Sequence, residues 1–139
     1  MRYELAATTF VFNGNRFAIH FHEKVKKWLP PGGHVEVDEL PHEAAVREVM
    51  EEAGVSPRLV VAGGEDLAIQ TVPMPIAILV EDIDQQHKHI DMIHVATTET
   101  EKLSDGFKWV TVQEAQKLPA PEDVIRLAKK GLEILGLEE

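Results

Sequence analysis

The 139-residue sequence predicts an α+β domain, a mixed β-sheet with helices packed on its faces. Three observations predict it. Two runs rich in aromatic, β-branched and apolar residues, 3–12 and 16–22, flank Asn13-Gly14-Asn15, and Asn-Gly is a strong hairpin signal. A helix follows between Pro41 and Gly54, and a second, over 122–135, carries Val124, Leu127, Ala128, Leu132 and Leu135 at helical spacing. Between the two helices lie further strand-like runs, so the order is strands, helix, strands, helix.

In chain order, the hairpin gives way to a charged loop, Glu23 to Lys27, with Lys24, Lys26 and Lys27. Trp28-Leu29-Pro30-Pro31-Gly32-Gly33 then leads to the first helix, stiff at its prolines and free of side chains at its end. Leu40-Pro41 starts the helix, because a first-turn proline gives up no hydrogen bond. Asp38 and Glu39 lie at the positive end of its dipole, and Gly54 stops it. Arg58 to Ala62 and Glu65 to Val72 alternate weakly and read as strands joined at Gly63-Gly64. Pro73-Met74-Pro75 breaks the run before a strand over 76–81. His87 to Ala96 reads as another strand, either an edge strand with polar residues outward or one whose His89 and Asp91 border a site. His94 points to the opposite face from His87 and His89, which argues against a three-histidine zinc site. Thr111 to Glu114 forms a capping box at the start of a short helix.

Composition narrows the function. The net charge of −10 argues against sequence-independent binding of nucleic-acid polymers through phosphates, while leaving small phosphorylated ligands open where metal ions reverse the local field. With no cysteine, disulfides and thiolate metal sites are excluded. The start of the chain has no long apolar run, and the longest later one, 72–80, is interrupted by two prolines. No membrane span is expected, and the reading is a cytoplasmic protein.

The chemistry concentrates in the first helix. At about 100° per residue, Val46, Val49, Met50 and Ala53 form an apolar stripe, and Glu48, Glu51 and Glu52 cluster on the other side. Like charges at i,i+3 and i,i+4 destabilise a helix by roughly 0.2–0.5 kcal/mol per pair, and Arg47 is the only cation nearby. Either this is an acidic surface, or the carboxylates hold a hard divalent cation that shares its coordination with phosphate. The bare loop before the helix favours the cation.

Residues 33–55 resemble the signature of the Nudix hydrolases, G-x5-E-x7-R-E-U-x-E-E-x-G-U with U aliphatic. Gly33, Glu39, Arg47, Glu48, Val49, Glu51, Glu52, Gly54 and Val55 fill every specified position. A chance match at one start point is on the order of 10⁻⁹. The resemblance implies the Nudix fold, an α/β/α sandwich, and Mg²⁺-dependent hydrolysis of a diphosphate linkage in a nucleoside diphosphate derivative, with Mn²⁺ substituting. It implies that Glu48 and Glu52 ligate metal, with Glu51 direct or through water and the Gly33 carbonyl a further contact. Arg47 would orient a catalytic glutamate, and Glu39 would pair with Arg47. The base is a box glutamate or an acidic residue of a distant loop, here Glu99 or Glu101. Gly32, Lys27, Trp28 and His89 are candidate substrate or phosphate contacts.

Other readings have their own requirements. The isomerase branch of this fold needs an active-site cysteine, and the chain has none. A non-catalytic nucleotide-binding module would be free to lose the box glutamates, and all are in place. Small size favours a nucleoside triphosphate or modified nucleotide as substrate, with ADP-ribose or a sugar nucleotide as the alternative. A homodimer is the assembly that the family resemblance suggests.

Overall fold

The computed structural model describes residues 1–61 and 63–139. Among them, eight strands form one mixed sheet: β1 (Arg2–Asn13), β2 (Arg16–His22), β3 (Lys27–Leu29), β4 (Gly32–His34), β5 (Arg58–Val60), β6 (Ala77–Asp82), β7 (His87–Thr97) and β8 (Phe107–Val110). The helices are α1 (Pro41–Glu48), α2 (Val112–Ala115) and α3 (Glu122–Leu135). β1 and β7 form the spine, parallel from the pair Arg2–His87 to the pair Phe12–Thr97. The outer edge of β7 takes β6 and β5, both antiparallel. β4 pairs with β1 at Ala6 to Thr8, and β2 pairs with β1, β3 and β8.

Alternation along the strands builds a layer on each face. Phe10, Phe12, Ile93 and Val95 pack against Val124, Ile125, Ala128 and Leu132 of α3. Val11 and Ala96 meet Val49, Ala53 and Val55 on the other face, where Ala7 also meets Ala44 and Ala45. This is the expected mixed sheet between helices. α3 comes very close at Gly131, where a Cβ would lie 2.8 Å from the Phe12 ring.

The first helix differs from the regular one expected. α1 passes into a π-helical turn over Val49–Ala53, closed by a 3.2 Å bond from the Gly54 N–H to the Val49 carbonyl, and Gly54 ends it at φ +73°. Its start is braced by Glu43, whose carboxylate accepts the Leu40 N–H at 2.8 Å. The predicted apolar stripe needs correction. Met50 is exposed and Val46 only half-buried, whereas Ala44, Ala45, Val49 and Ala53 are buried. Small residues let this flank lie close on β1. On a helical wheel Glu48 and Glu52 fall within that same flank, so they face the protein.

Two further expectations are revised. The strand over 65–72 and its Gly63-Gly64 hairpin do not form. Residues 63–72 are exposed, and β5 spends its pairing on β7, so the weak alternation has no apolar face to bury. The expected strand over 58–62 is Arg58–Val60, and Ala62 lies outside the described residues. β7 is an interior strand, flanked on both edges, which removes the edge-strand reading.

Candidate active site

The geometry starts at two glycines. β4 brings Gly32 and Gly33 against the first helix. The Gly32 N–H donates to Glu52 Oε1 at 2.9 Å. A Cβ on Gly33 would lie 2.5 Å from Glu48 Oε1. A Cβ on Gly32 would lie 2.7 Å from the Ala7 carbonyl oxygen. A side chain at Gly33 would strike the Glu48 carboxylate, and one at Gly32 would strike β1.

Arg47 ties the loop to the helix. Its Nε donates to Glu39 Oε2 at 2.7 Å and its Nη2 to Glu39 Oε1 at 2.9 Å, a two-pronged carboxylate grip. Nη2 also donates to the His34 carbonyl at 2.9 Å. Nη1 donates to Glu48 Oε1 at 2.8 Å and to Glu51 Oε2 at 3.3 Å, with Glu36 Oε1 at 3.7 Å. Five groups therefore share one guanidinium. The hydrogen bond from Arg47 holds the Glu39 carboxyl below the usual carboxylate range. Glu52 moves the other way: burial pushes its carboxyl up, the Gly32 N–H opposes that, and the charges of Glu48 and Glu51 add to it.

Glu52, Gly32 and Gly33 line a cavity of about 610 Å³. Thr8, Phe10, Ile93 and Leu127 are among its other lining residues, as are the carboxyls of Glu81, Asp91 and Asp123. Asp91 is buried, and both its oxygens lie within 3.0 Å of the Thr8 hydroxyl. His89 lines the cavity and approaches His34, with 2.9 Å between the Nε2 atoms. Burial, then the neighbouring His34, depresses the His89 imidazole.

The remaining sequence candidates lie elsewhere. Lys27 is exposed in the β2–β3 hairpin. Trp28 packs edge-on against Phe21 with the Lys108 ammonium 4.5 Å over its ring, and neither Lys27 nor Trp28 lines the cavity. Glu99 lines a separate concavity with Arg58 and Thr97, and the Glu101 carbonyl accepts the Trp109 indole N–H at 2.8 Å. Sequence reading missed Thr8, Glu81 and Asp123. Nothing local marks them, because the β1–β7 and β6–β7 registers bring in Thr8 and Glu81, and the packing of α3 on the sheet brings in Asp123.

Among the described residues, no three carboxylate or imidazole groups converge on one point. Glu48 is turned to Arg47 and Glu52 to the Gly32 N–H, each with acceptor lone pairs to spare.

A NUDIX domain family model matches residues 2–130. Human diphosphoinositol polyphosphate phosphohydrolase 3-beta is 35% identical over 101 residues, 73% of this chain and 52% of that protein. The chain spans about half the length of the curated relatives it matches. A NUDIX-family hydrolase from Clostridium perfringens superimposes with a TM-score of 0.83 at 28% identity, over 97% of this chain and 99% of that one. A C. elegans Ap4A hydrolase shares the fold, with a TM-score of 0.73 at 17% identity over 96% and 98% of the two chains. With Glu39, Glu48 and Glu51 gathered round Arg47 and Glu52 held by the Gly32 N–H, the chain belongs to the Nudix hydrolase family.

Proposed function

We propose that this protein hydrolyses a diphosphate linkage in a nucleoside diphosphate derivative, with Mg²⁺ as cofactor and Mn²⁺ able to replace it. The substrate class favoured is a nucleoside triphosphate or modified nucleotide. One observation carries the reading: Glu48 and Glu52 face a strand with no side chains, Gly32-Gly33, at the wall of a cavity large enough for a nucleotide.

The donor set suits a hard cation, all oxygen and anionic. Glu48 and Glu52 would hold it, with Glu51 and the Gly33 carbonyl completing the protein's share. When bound, such a cation neutralises charge on the diphosphate oxygens. The chain's own residues then do the rest. Arg47, fixed by Glu39, keeps Glu48 from turning away. The backbone of Gly32 and Gly33 lets phosphate approach where any side chain would stand. Walls such as Phe10 and Ile93 exclude water from the nucleoside end. A box glutamate takes the proton of the attacking water, which adds across the P–O–P linkage to give two phosphate-bearing products. Glu99 and Glu101 stand outside the cavity lining, which supports a base within the box.

The test is release of phosphate or nucleoside monophosphate from a panel of dNTPs, 8-oxo-dGTP, ADP-ribose, diadenosine polyphosphates and sugar nucleotides. Turnover that needs Mg²⁺ or Mn²⁺ and stops with EDTA supports the reading. No turnover of any member under those conditions refutes it.

A further inference from the structure

The same cavity carries information about the rest of the substrate, on the assumption that the hydrolase reading holds. Besides Glu52 it is lined by the carboxyls of Glu81, Asp91 and Asp123 and the imidazoles of His20, His22 and His89, and among the described residues no Lys or Arg lines it. Asp91 is 4% exposed, and its two oxygens share a single Thr8 hydroxyl proton, at 3.0 and 2.9 Å. Apart from its contact with Glu81, its remaining lone pairs are free for another partner. Glu81 stands beside it on the neighbouring strand, where Glu81 pairs with His89 and Leu79 with Asp91. The surrounding walls are apolar: Phe10, Ile78, Ile93 and Leu127.

We infer that Glu81 and Asp91 select the substrate, admitting an uncharged ring with N–H donors beyond the diphosphate and rejecting a group that carries further phosphates.

The chemistry runs in both directions. Two carboxyls in contact cannot both ionise readily, so the pair offers one O–H donor beside several acceptors. A heterocycle whose edge sets an N–H beside a carbonyl or ring nitrogen matches that pattern, and its faces suit the apolar walls. A group bearing several phosphates meets carboxylates with no Lys or Arg to answer it, and burial makes the His20 and His89 imidazoles reluctant to take a proton. Cations bound at Glu48 and Glu52 would serve the scissile diphosphate and leave Glu81, Asp91 and Asp123 uncompensated. Like-charge juxtaposition of this kind rejects wrong partners effectively.

The test separates binding from turnover. Calorimetry with Mg²⁺ present uses the α,β-methylene analogues of ATP and GTP, which differ only in the base, and inositol hexakisphosphate. The wild-type protein should bind the tighter-binding nucleotide analogue at least about tenfold more tightly than inositol hexakisphosphate. Glu81→Lys should narrow that ratio by about tenfold, and Glu81→Gln should reduce discrimination between bases while circular dichroism stays unchanged. Equal or tighter binding of inositol hexakisphosphate by the wild-type protein overturns the inference, whether or not the variants fold. So does an unchanged ratio in a folded Glu81→Lys protein. Failure of the hydrolase reading looks different: no diphosphate is cleaved under any metal, while the binding ratio still decides this point.

Discussion

Arg47 and Glu39 are joined by two parallel hydrogen bonds, 2.7 and 2.9 Å long, across the turn that leads into the first helix. The remaining guanidinium nitrogen is thereby aimed at Glu48, at 2.8 Å. A lysine cannot make that fork and reach Glu48 at once. Arg47→Lys should lower kcat/KM by about 10–100-fold, the usual effect of losing a group that orients a metal ligand. Steady-state kinetics at saturating Mg²⁺, beside a melting curve, distinguishes this from loss of fold.

The two glycines should respond differently to alanine. At Gly33 the new methyl runs into the Glu48 carboxylate, the end of a side chain that can swing aside. Gly33→Ala should therefore fold and lose activity by about 100-fold, as a displaced catalytic group does. At Gly32 the methyl meets the Ala7 backbone, which cannot move without disturbing β1. Gly32→Ala should cost about 1–3 kcal/mol of stability, measured by urea unfolding.

Glu52→Gln keeps an acceptor for the Gly32 N–H and removes a half-buried charge beside Glu48 and Glu51. Turnover should fall by on the order of 10²-fold or more. The metal-free variant should melt about 2 °C higher than the wild type. Added Mg²⁺ should raise the wild-type midpoint and move the variant's much less. Differential scanning fluorimetry across a Mg²⁺ series reads both effects.

Burial, then the charge of Asp91, pushes the Glu81 carboxyl from 4.5 up to about 8. The folded protein therefore keeps a proton that the unfolded chain releases above 4.5. Stability should be greatest at the acid end of this window, fall as pH rises towards 8, and level off beyond it. Glu81→Gln should flatten that dependence and be more stable than the wild type at pH 8, by on the order of 1 kcal/mol. Melting curves from pH 5 to 9 for both proteins check it.

The sequence is legible where function and structure are local. The hairpin at Asn13-Gly14, the start at Pro41, the stop at Gly54, the capping box at Thr111 and α3 are all signalled within a few residues. So are the box glutamates, because one helix presents them. Two kinds of information were not local. The rotation of the first helix depends on Ala44 and Ala45 meeting Ala7, a contact that a hydrophobicity pattern undervalues because alanine is small. The Thr8–Asp91 and Glu81–Asp91 contacts depend on strand pairing at long separation, which no window of sequence contains. The weak alternation over 65–72 misled for the complementary reason, since a strand needs a neighbour as well as a pattern.

The long ladder between β1 and β7 works as a vernier. Its present setting places His89, Asp91 and Ile93 in the cavity lining, with Thr8 against Asp91. Sliding β7 by one notch would hand those places to Lys88, Ile90 and Met92, swapping carboxyl and imidazole for an ammonium and two greasy chains. The box helix would not escape such a slip, because Ala96, which packs against Val49, Ala53 and Val55, would give its place to Val95. One register therefore sets both the selective wall and the seat of the box helix, and a misthreaded molecule would forfeit the two together.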